Sequence, residues 1–233
     1  MKPFVYFPFI LLALAGLFLL LLFLFIFIQI GIISVAFHKL GLTGPQVFFV
    51  LLGTLLGSAV NIPIYNTRRA ARPNIFPQSG LFRHYRNPLF PQGPGRATNQ
   101  IVAVNIGGCV IPCLLSAYLL GRIGPSPGLV LAVLAVGAVC FKLARPVPGL
   151  GIGIPVLIPP LVTVLSAIFL APAGQSPQVA YIAGSLGTLI GADVLHLANP
   201  KSKALLDAPV LSVGGAGTFD GIFLTGILAV LLT

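Results

Sequence analysis

An uncharged stretch near the start of the chain constrains the fold more than any other feature. It runs from Pro3 to Phe37 without a single Asp, Glu, Lys or Arg. A helix that crosses a bilayer needs about 20 apolar residues, whereas the apolar core of a signal peptide has only about 7–15. The stretch also lacks a clear small-residue cleavage site. It therefore predicts an uncleaved first transmembrane helix.

The composition of the whole chain extends this conclusion. Hydrophobic residues make up 57% of the 233 positions and charged residues 7%, against about 25% charged residues in a soluble domain. The acidic residues are three in number, namely Asp193, Asp207 and Asp220. So few charges cannot cover the surface of a water-soluble fold. The composition excludes a cytosolic globular enzyme, a disordered chain and a collagen-like chain.

Apolar stretches of near-spanning length recur along the sequence. They predict an all-α integral membrane protein of about seven transmembrane helices, in a single polytopic membrane domain that covers residues 1–233. The predicted spans are 7–33, 45–65, 101–120, 129–141, 149–170, 177–198 and 209–232. The fifth span and the residues just before it cannot form one regular helix, because Pro146 and Pro148 precede the span and Pro155, Pro159 and Pro160 lie within it. Either a broken helix that lines a cavity or an entry turn before a kinked helix would explain this pattern.

The basic residues predict how the protein is oriented. The formal net charge is +10, and six of the thirteen Lys and Arg residues lie between the second and third spans. This basic segment, at about 66–100, is predicted to be a cytoplasmic loop that contacts anionic lipid headgroups. With the N-terminus in the cytoplasm and the C-terminus outside, only Lys39 and Arg122 fall on the outer side. We therefore expect the cell inner (cytoplasmic) membrane, with the lipid bilayer and not nucleic acid as the partner.

Two parts of the chain resemble each other and indicate an internal parallel repeat. Residues 52–60 match residues 186–194 at six of nine positions, and Ile-Gly-Gly at 106–108 is echoed by Val-Gly-Gly at 213–215. Transporters commonly contain such repeats, although low-complexity apolar sequence also produces chance matches. Asp193 aligns with Ala59 and Asp220 with Cys113, so only the second copy carries acids.

Two acids within apolar stretches are the main candidates for chemistry. An Asp at a helix centre costs about 2.5–3.5 kcal/mol on insertion scales, so such residues commonly mark a functional path. A buried Asp that caps a helix or bonds to a neighbouring backbone is the structural alternative for both Asp193 and Asp220. A proton relay or polar lining is predicted from His196, Thr188, Thr218 and Asn105. Glycines that open or thin the helix backbone are predicted at Gly214, Gly215, Gly217 and Gly221.

The same acids support three hypotheses. If Asp193 and Asp220 face each other, they can share a proton and activate a water, as aspartyl proteolysis requires. If they lie along a path with His196, they fit a proton- or cation-coupled transporter. The third hypothesis is a membrane scaffold or assembly protein. No cofactor or metal is expected, and a membrane peptide or a small ion or solute would be the substrate.

The paired acids resemble presenilin-like intramembrane aspartyl proteases, which carry one Asp on each of two adjacent spans. Their second Asp follows a Gly-x-Gly motif directly, whereas Thr218 and Phe219 separate residues 215–217 from Asp220 here. Ala192 stands where those proteases have Tyr before the first Asp, and no Pro-Ala-Leu motif follows. The resemblance implies catalysis by Asp193 and Asp220.

A longer resemblance covers the end of the chain. Residues 184–193 and 213–226, with the glycine-rich segment before Asp220, resemble the prokaryotic membrane family known as domain of unknown function 1614. The similarity extends back through residues 105–108 to the second span. It implies a prokaryotic integral membrane protein and no established reaction.

Overall fold

A computed structural model describes residues 9–69, 98–147, 151–199 and 210–233 of the chain. These residues form seven helices and five short strands. The helices are α1 Phe9–Lys39, α2 Gly44–Gly57, α3 Ile106–Ile123, α4 Pro127–Leu143, α5 Ile158–Leu170, α6 Ser176–Ala198 and α7 Ala216–Leu232. The strands are β1 Asn61–Arg69, β2 Thr98–Asn105, β3 Arg145–Val147, β4 Gly151–Gly153 and β5 Val210–Val213.

The helices confirm the membrane class only in part. Each predicted span contains one helix, but three helical segments of the described chain are long and apolar enough to cross a membrane, at Leu14–Lys39, Ile106–Ile123 and Ser176–Ala198. With 14 and 13 residues, α2 and α5 reach about 20 Å, less than the roughly 30 Å of a hydrocarbon core. Large apolar side chains point outward, and Phe169 on α5 is 79% exposed. Such a surface suits lipid rather than water.

The prediction of an all-α fold is wrong at the ends of four predicted spans. Residues that we expected to continue the second span form β1, and β2 and β5 precede the helices of the third and seventh spans. The fifth span begins with the β3–β4 hairpin, and its helix starts only at Ile158. Short apolar runs do not distinguish a buried strand from a helix by periodicity, which explains the error.

The three longer strands form one sheet in the order β1-β2-β5. Strand β1 runs antiparallel to β2, from Asn61 opposite Asn105 to Arg69 opposite Thr98. Strand β2 runs parallel to β5, with Ile101 opposite Val210. The predicted basic loop at 66–100 lies mostly outside the described residues, but its two ends pair in this sheet. Pro63 is tolerated because β1 is an edge strand.

Helix α6 lies at the centre of the bundle and packs against α3, α4, α5 and α7. Glycines on one face allow close approach to α4. A Cβ atom on Gly187 would lie 2.8 Å from Val136 Cβ, and one on Gly191 would collide with the carbonyl oxygen of Gly137. The small-residue spacing therefore serves helix packing, as is common between membrane helices.

Contacts at one end of the bundle show that α1, α3 and α7 end on the same side. The Lys39 ammonium, at the end of α1, donates a hydrogen bond to the Leu231 carbonyl near the end of α7 (2.9 Å). Arg122, at the end of α3, donates to the Gly41 carbonyl between α1 and α2 (3.0 Å). Lys39 and Arg122, which we predicted to lie on the same side of the membrane, are thus at the same end of the bundle. The sheet lies at the other end, where α3 and α7 begin.

Candidate functional site

Two helix starts meet at the ends of parallel strands. Strand β2 leads directly into the first turn of α3, which contains Gly107 and Gly108, and β5 leads through Gly214 and Gly215 into α7. Gly214 has φ +69°, and a Cβ atom there would lie 2.5 Å from the Gly108 carbonyl carbon. Only glycine permits this contact between the two backbones. We call residues 105–109 and 212–215 the helix-start junction.

Asn105 holds the first helix start. Its buried side chain accepts a hydrogen bond from the Gly108 N–H (2.7 Å) and so acts as the N-cap of the π-helical turn Ile106–Val110 that opens α3. Its amide group donates to the Ser58 carbonyl (2.7 Å) and to Asn61 Oδ1 (3.1 Å). The residue that we predicted as polar lining therefore ties α3 to the end of α2 and to β1.

A second polar contact joins β1 to β5, and it is one that sequence reasoning missed. The Ser212 hydroxyl donates to Asn61 Oδ1 at 2.5 Å, the same oxygen that accepts from Asn105. The available signal was the presence of Asn61 and Asn105 near the ends of neighbouring predicted spans. Ser212 gave no signal of its own, because its position beside Asn61 depends on the parallel pairing of β2 with β5.

Asp193 holds the second helix start. Its side chain is 2% exposed and accepts a hydrogen bond from the Gly214 N–H at 2.5 Å. It belongs to a π-helical turn, Leu189–Val194, within α6, and such turns frequently occur at functional sites. An ionised carboxylate beside a helix N-terminus is stabilised by the helix dipole and by charge-assisted hydrogen bonding. The contact is of the kind that the structural alternative describes, a buried Asp that bonds to the backbone of a neighbouring segment.

The other predicted acid lies in the second turn of α7. The backbone of Asp220 belongs to the continuous helix Ala216–Leu232. Its side chain and that of Thr218 lie outside the described part of the structure. Gly217 and Gly221 are within the same uninterrupted helix, so the backbone opening occurs at residues 214–215, before the helix begins.

His196 and Thr188 contact α4. The buried His196 ring donates from Nδ1 to the Gly191 carbonyl (3.1 Å) and packs 4.8 Å from the Phe141 ring. The Thr188 hydroxyl accepts a weak hydrogen bond from the Cys140 thiol (3.7 Å). Asp193 instead contacts Gly214 just before α7, and Asn105 and Thr218 belong to β2 and α7, so the predicted relay residues are spread over three elements. No set of three His, Cys, Asp or Glu side chains in the described ranges is placed to hold a metal ion.

Comparison with known proteins gives one match. A family model described as "Protein of unknown function (DUF1614)" matches residues 55–232, which include the sheet and the whole helix-start junction. No curated protein and no solved structure matches the chain significantly. The presenilin-like resemblance stays a prediction, since the match does not bear on it. Because the family model covers well over half of the sequence, the chain belongs to the DUF1614 family.

Proposed function

We propose that this protein is a membrane transporter coupled to a proton or another small cation, with Asp193 as the coupling acid. The proposal depends on one observation. The buried Asp193 carboxylate accepts a hydrogen bond from the Gly214 N–H at the place where two helix starts meet. An ionisable group at membrane depth is costly and is generally retained for ion or proton pathways.

The glycine-rich starts of α3 and α7 support the transport proposal. In transporters, substrate and ion sites form where discontinuous helices begin or end, and paired glycine-interrupted segments in corresponding halves point to that place. Residues 106–108 and 213–215 are such a pair, and each lies where one of two parallel neighbouring strands ends. The proposed internal repeat accounts for this arrangement, with the acid present only in its second copy.

The chemistry of the contact suggests how a proton would be coupled to movement. An ionised Asp193 accepts a strong, charge-assisted hydrogen bond from the Gly214 N–H. When the carboxylate takes up a proton, its charge is neutralised and that hydrogen bond weakens. The start of α7 is then held less tightly against α6, so protonation and the position of this helix start are linked.

The experiment is proton flux into liposomes that contain the purified protein and an enclosed pH-sensitive dye. We expect Asp193→Asn to lower the flux at least about tenfold, because the amide keeps the size of the side chain but cannot ionise. Asp207→Asn is the matched control, since Asp207 lies between predicted spans, and it should leave the flux unchanged. The proposal fails if Asp193→Asn transports protons and Na⁺ as well as the unaltered protein does.

A second candidate is an intramembrane aspartyl peptidase that uses Asp193 and Asp220. The observation in its favour is that Asp220 lies in the second turn of the helix whose start Asp193 contacts. It predicts cleavage of a single-span peptide that is lost with Asp193→Asn and with Asp220→Asn, while the fold is kept. Cleavage that persists in both variants would exclude it. Full tolerance of both changes in every assay would instead favour the scaffold hypothesis.

We also propose the inner (cytoplasmic) membrane as the location, with seven spans and the basic loop at 66–100 in the cytoplasm against anionic headgroups. The bias of Lys and Arg toward one predicted side supports this orientation. A second observation supports the same orientation. Lys39 and Arg122, the two cations predicted to lie on the outer side, are at the same end of the bundle.

A further inference from the structure

Two cysteine side chains lie against each other at the start of α3. Cys109 is the last residue of the first half of the helix-start junction, and Cys113 follows four residues later on the same face of the helix. Their side chains share a hydrogen bond, and both cysteines are free of disulfides. The two sulfur atoms therefore converge on one place. We call Cys109 and Cys113 the thiol pair.

The surroundings of the thiol pair are apolar, with one charged group nearby. Cys109 is buried in an apolar cluster to which α6, α7 and β5 also contribute, and Cys113 packs against that cluster. The Asp193 carboxylate is near enough to act on Cys109 through its charge. This charge attracts a cation, and a cation bound by the sulfurs would offset the repulsion between the carboxylate and a thiolate. The place thus combines soft sulfur ligands, an apolar lining and a charge that favours a cation.

The number of available ligands limits which ion can bind there. Structural Zn²⁺ sites have four protein ligands, and catalytic Zn²⁺ sites have three. Within the described residues, no third His, Cys, Asp or Glu is placed to complete such a set with the thiol pair, Asp193 included. Cu(I) prefers soft thiolate ligands, and two of them on opposite sides of the ion satisfy it. The thiol pair is therefore suited to Cu(I) rather than to Zn²⁺.

We infer that the thiol pair is a binding site for Cu(I), a soft monovalent cation. On binding, each sulfur forms a bond to the ion and releases its proton, so that one Cu(I) replaces two protons and no electron is transferred. The ion enters between sulfurs that are already adjacent, and the partial exposure of Cys113 gives its side chain room to adjust. The site is argued from the thiol pair alone, whereas its role as the cargo site of a transporter rests on the proposed function.

The test is Cu(I) binding to the purified full-length protein in detergent, measured under nitrogen with ascorbate by competition against a chromogenic Cu(I) chelator. We expect the unaltered protein to bind one Cu(I) per chain. Loss of a residue that only supports a metal ligand lowers affinity by up to about 100-fold, so Cys113→Ser and Cys109→Ser should each lower it by more than that. Cys140→Ser is the matched control and should bind as tightly as the unaltered protein, because Cys140 hydrogen-bonds to Thr188 between α4 and α6.

The same measurements can overturn the inference. It is wrong if the unaltered protein binds no more Cu(I) than the double variant without the thiol pair, or if Cys140→Ser weakens binding as much as Cys113→Ser does. If buried Cys109→Ser fails to fold by circular dichroism, the partly buried Cys113→Ser decides the result.

Flux measurements separate this inference from the proposed function. Proton flux that depends on Asp193 in a protein that binds no Cu(I) would refute the Cu(I) site and leave the proposed function standing. Cu(I) binding that needs both thiols, without flux that depends on Asp193, would support the site and refute the proposed function.

Discussion

Because the two helix starts are in close contact, adding a single methyl group there should lower the free energy of unfolding substantially. In Gly214→Ala, the new Cβ atom would lie 2.5 Å from the Gly108 carbonyl carbon and 2.8 Å from the Cys109 amide nitrogen. The left-handed backbone, with φ +69°, costs a residue with a Cβ about 1–2 kcal/mol. Forcing the two backbones apart costs about 1–3 kcal/mol more. We therefore expect a loss of about 2–5 kcal/mol in the free energy of unfolding.

Gly174→Ala separates these two contributions. Gly174 has nearly the same backbone, with φ +75°, but nothing lies within 4 Å of the position of its Cβ atom. This variant should therefore lose only the backbone term, about 1–2 kcal/mol. The difference between the two variants measures the contact at the helix-start junction.

The assay is equilibrium unfolding of both variants in the same detergent, followed by circular dichroism. Equal losses in Gly214→Ala and Gly174→Ala would refute the reasoning, because they would mean that the backbone contact contributes nothing. A larger loss in Gly214→Ala should also be accompanied by lower proton flux, since the N–H of this residue is the donor to Asp193.

Three further predictions follow from other contacts. Asn105→Ala should cost about 2–4 kcal/mol of unfolding free energy in the same assay, because it removes a buried N-cap hydrogen bond and two partly buried hydrogen bonds. The simpler cap variant Ser126→Ala should cost about 1 kcal/mol, and equal losses in the two variants would contradict this hydrogen-bond network. Gly191→Ala should destabilise by about 1–3 kcal/mol through collision with α4, whereas Gly16→Ala on the open face of α1 should be neutral or slightly stabilising by thermal unfolding. Alkaline phosphatase fused after Thr233 should be active in cells, because the C-terminus is proposed to lie outside, and an inactive fusion at normal expression would reverse the orientation.

The sequence alone was enough to predict the class of the protein and the approximate position of each helix in the described ranges. The scarcity of charge decides the class, because a surface without charges is compatible with lipid and not with water. The scarcity of charged residues also singled out Asp193, because an isolated acid within an apolar stretch is unusual however the helices pack. Gly187 and Gly191 are four residues apart, a spacing typical of close-packed membrane helices, and in the structure both contact α4.

Only the tertiary structure decided what happens at the ends of the spans. Strand β5 has four residues, and its apolar composition would suit a helix equally well. It is a strand because β2, more than a hundred residues earlier, offers a matching row of backbone hydrogen-bonding groups. The role of Asp193 as the holder of the second helix start depends on that pairing too, because β5 brings Gly214 to it. Composition selects the surrounding solvent, whereas contacts between residues distant in sequence exist only once the chain has folded.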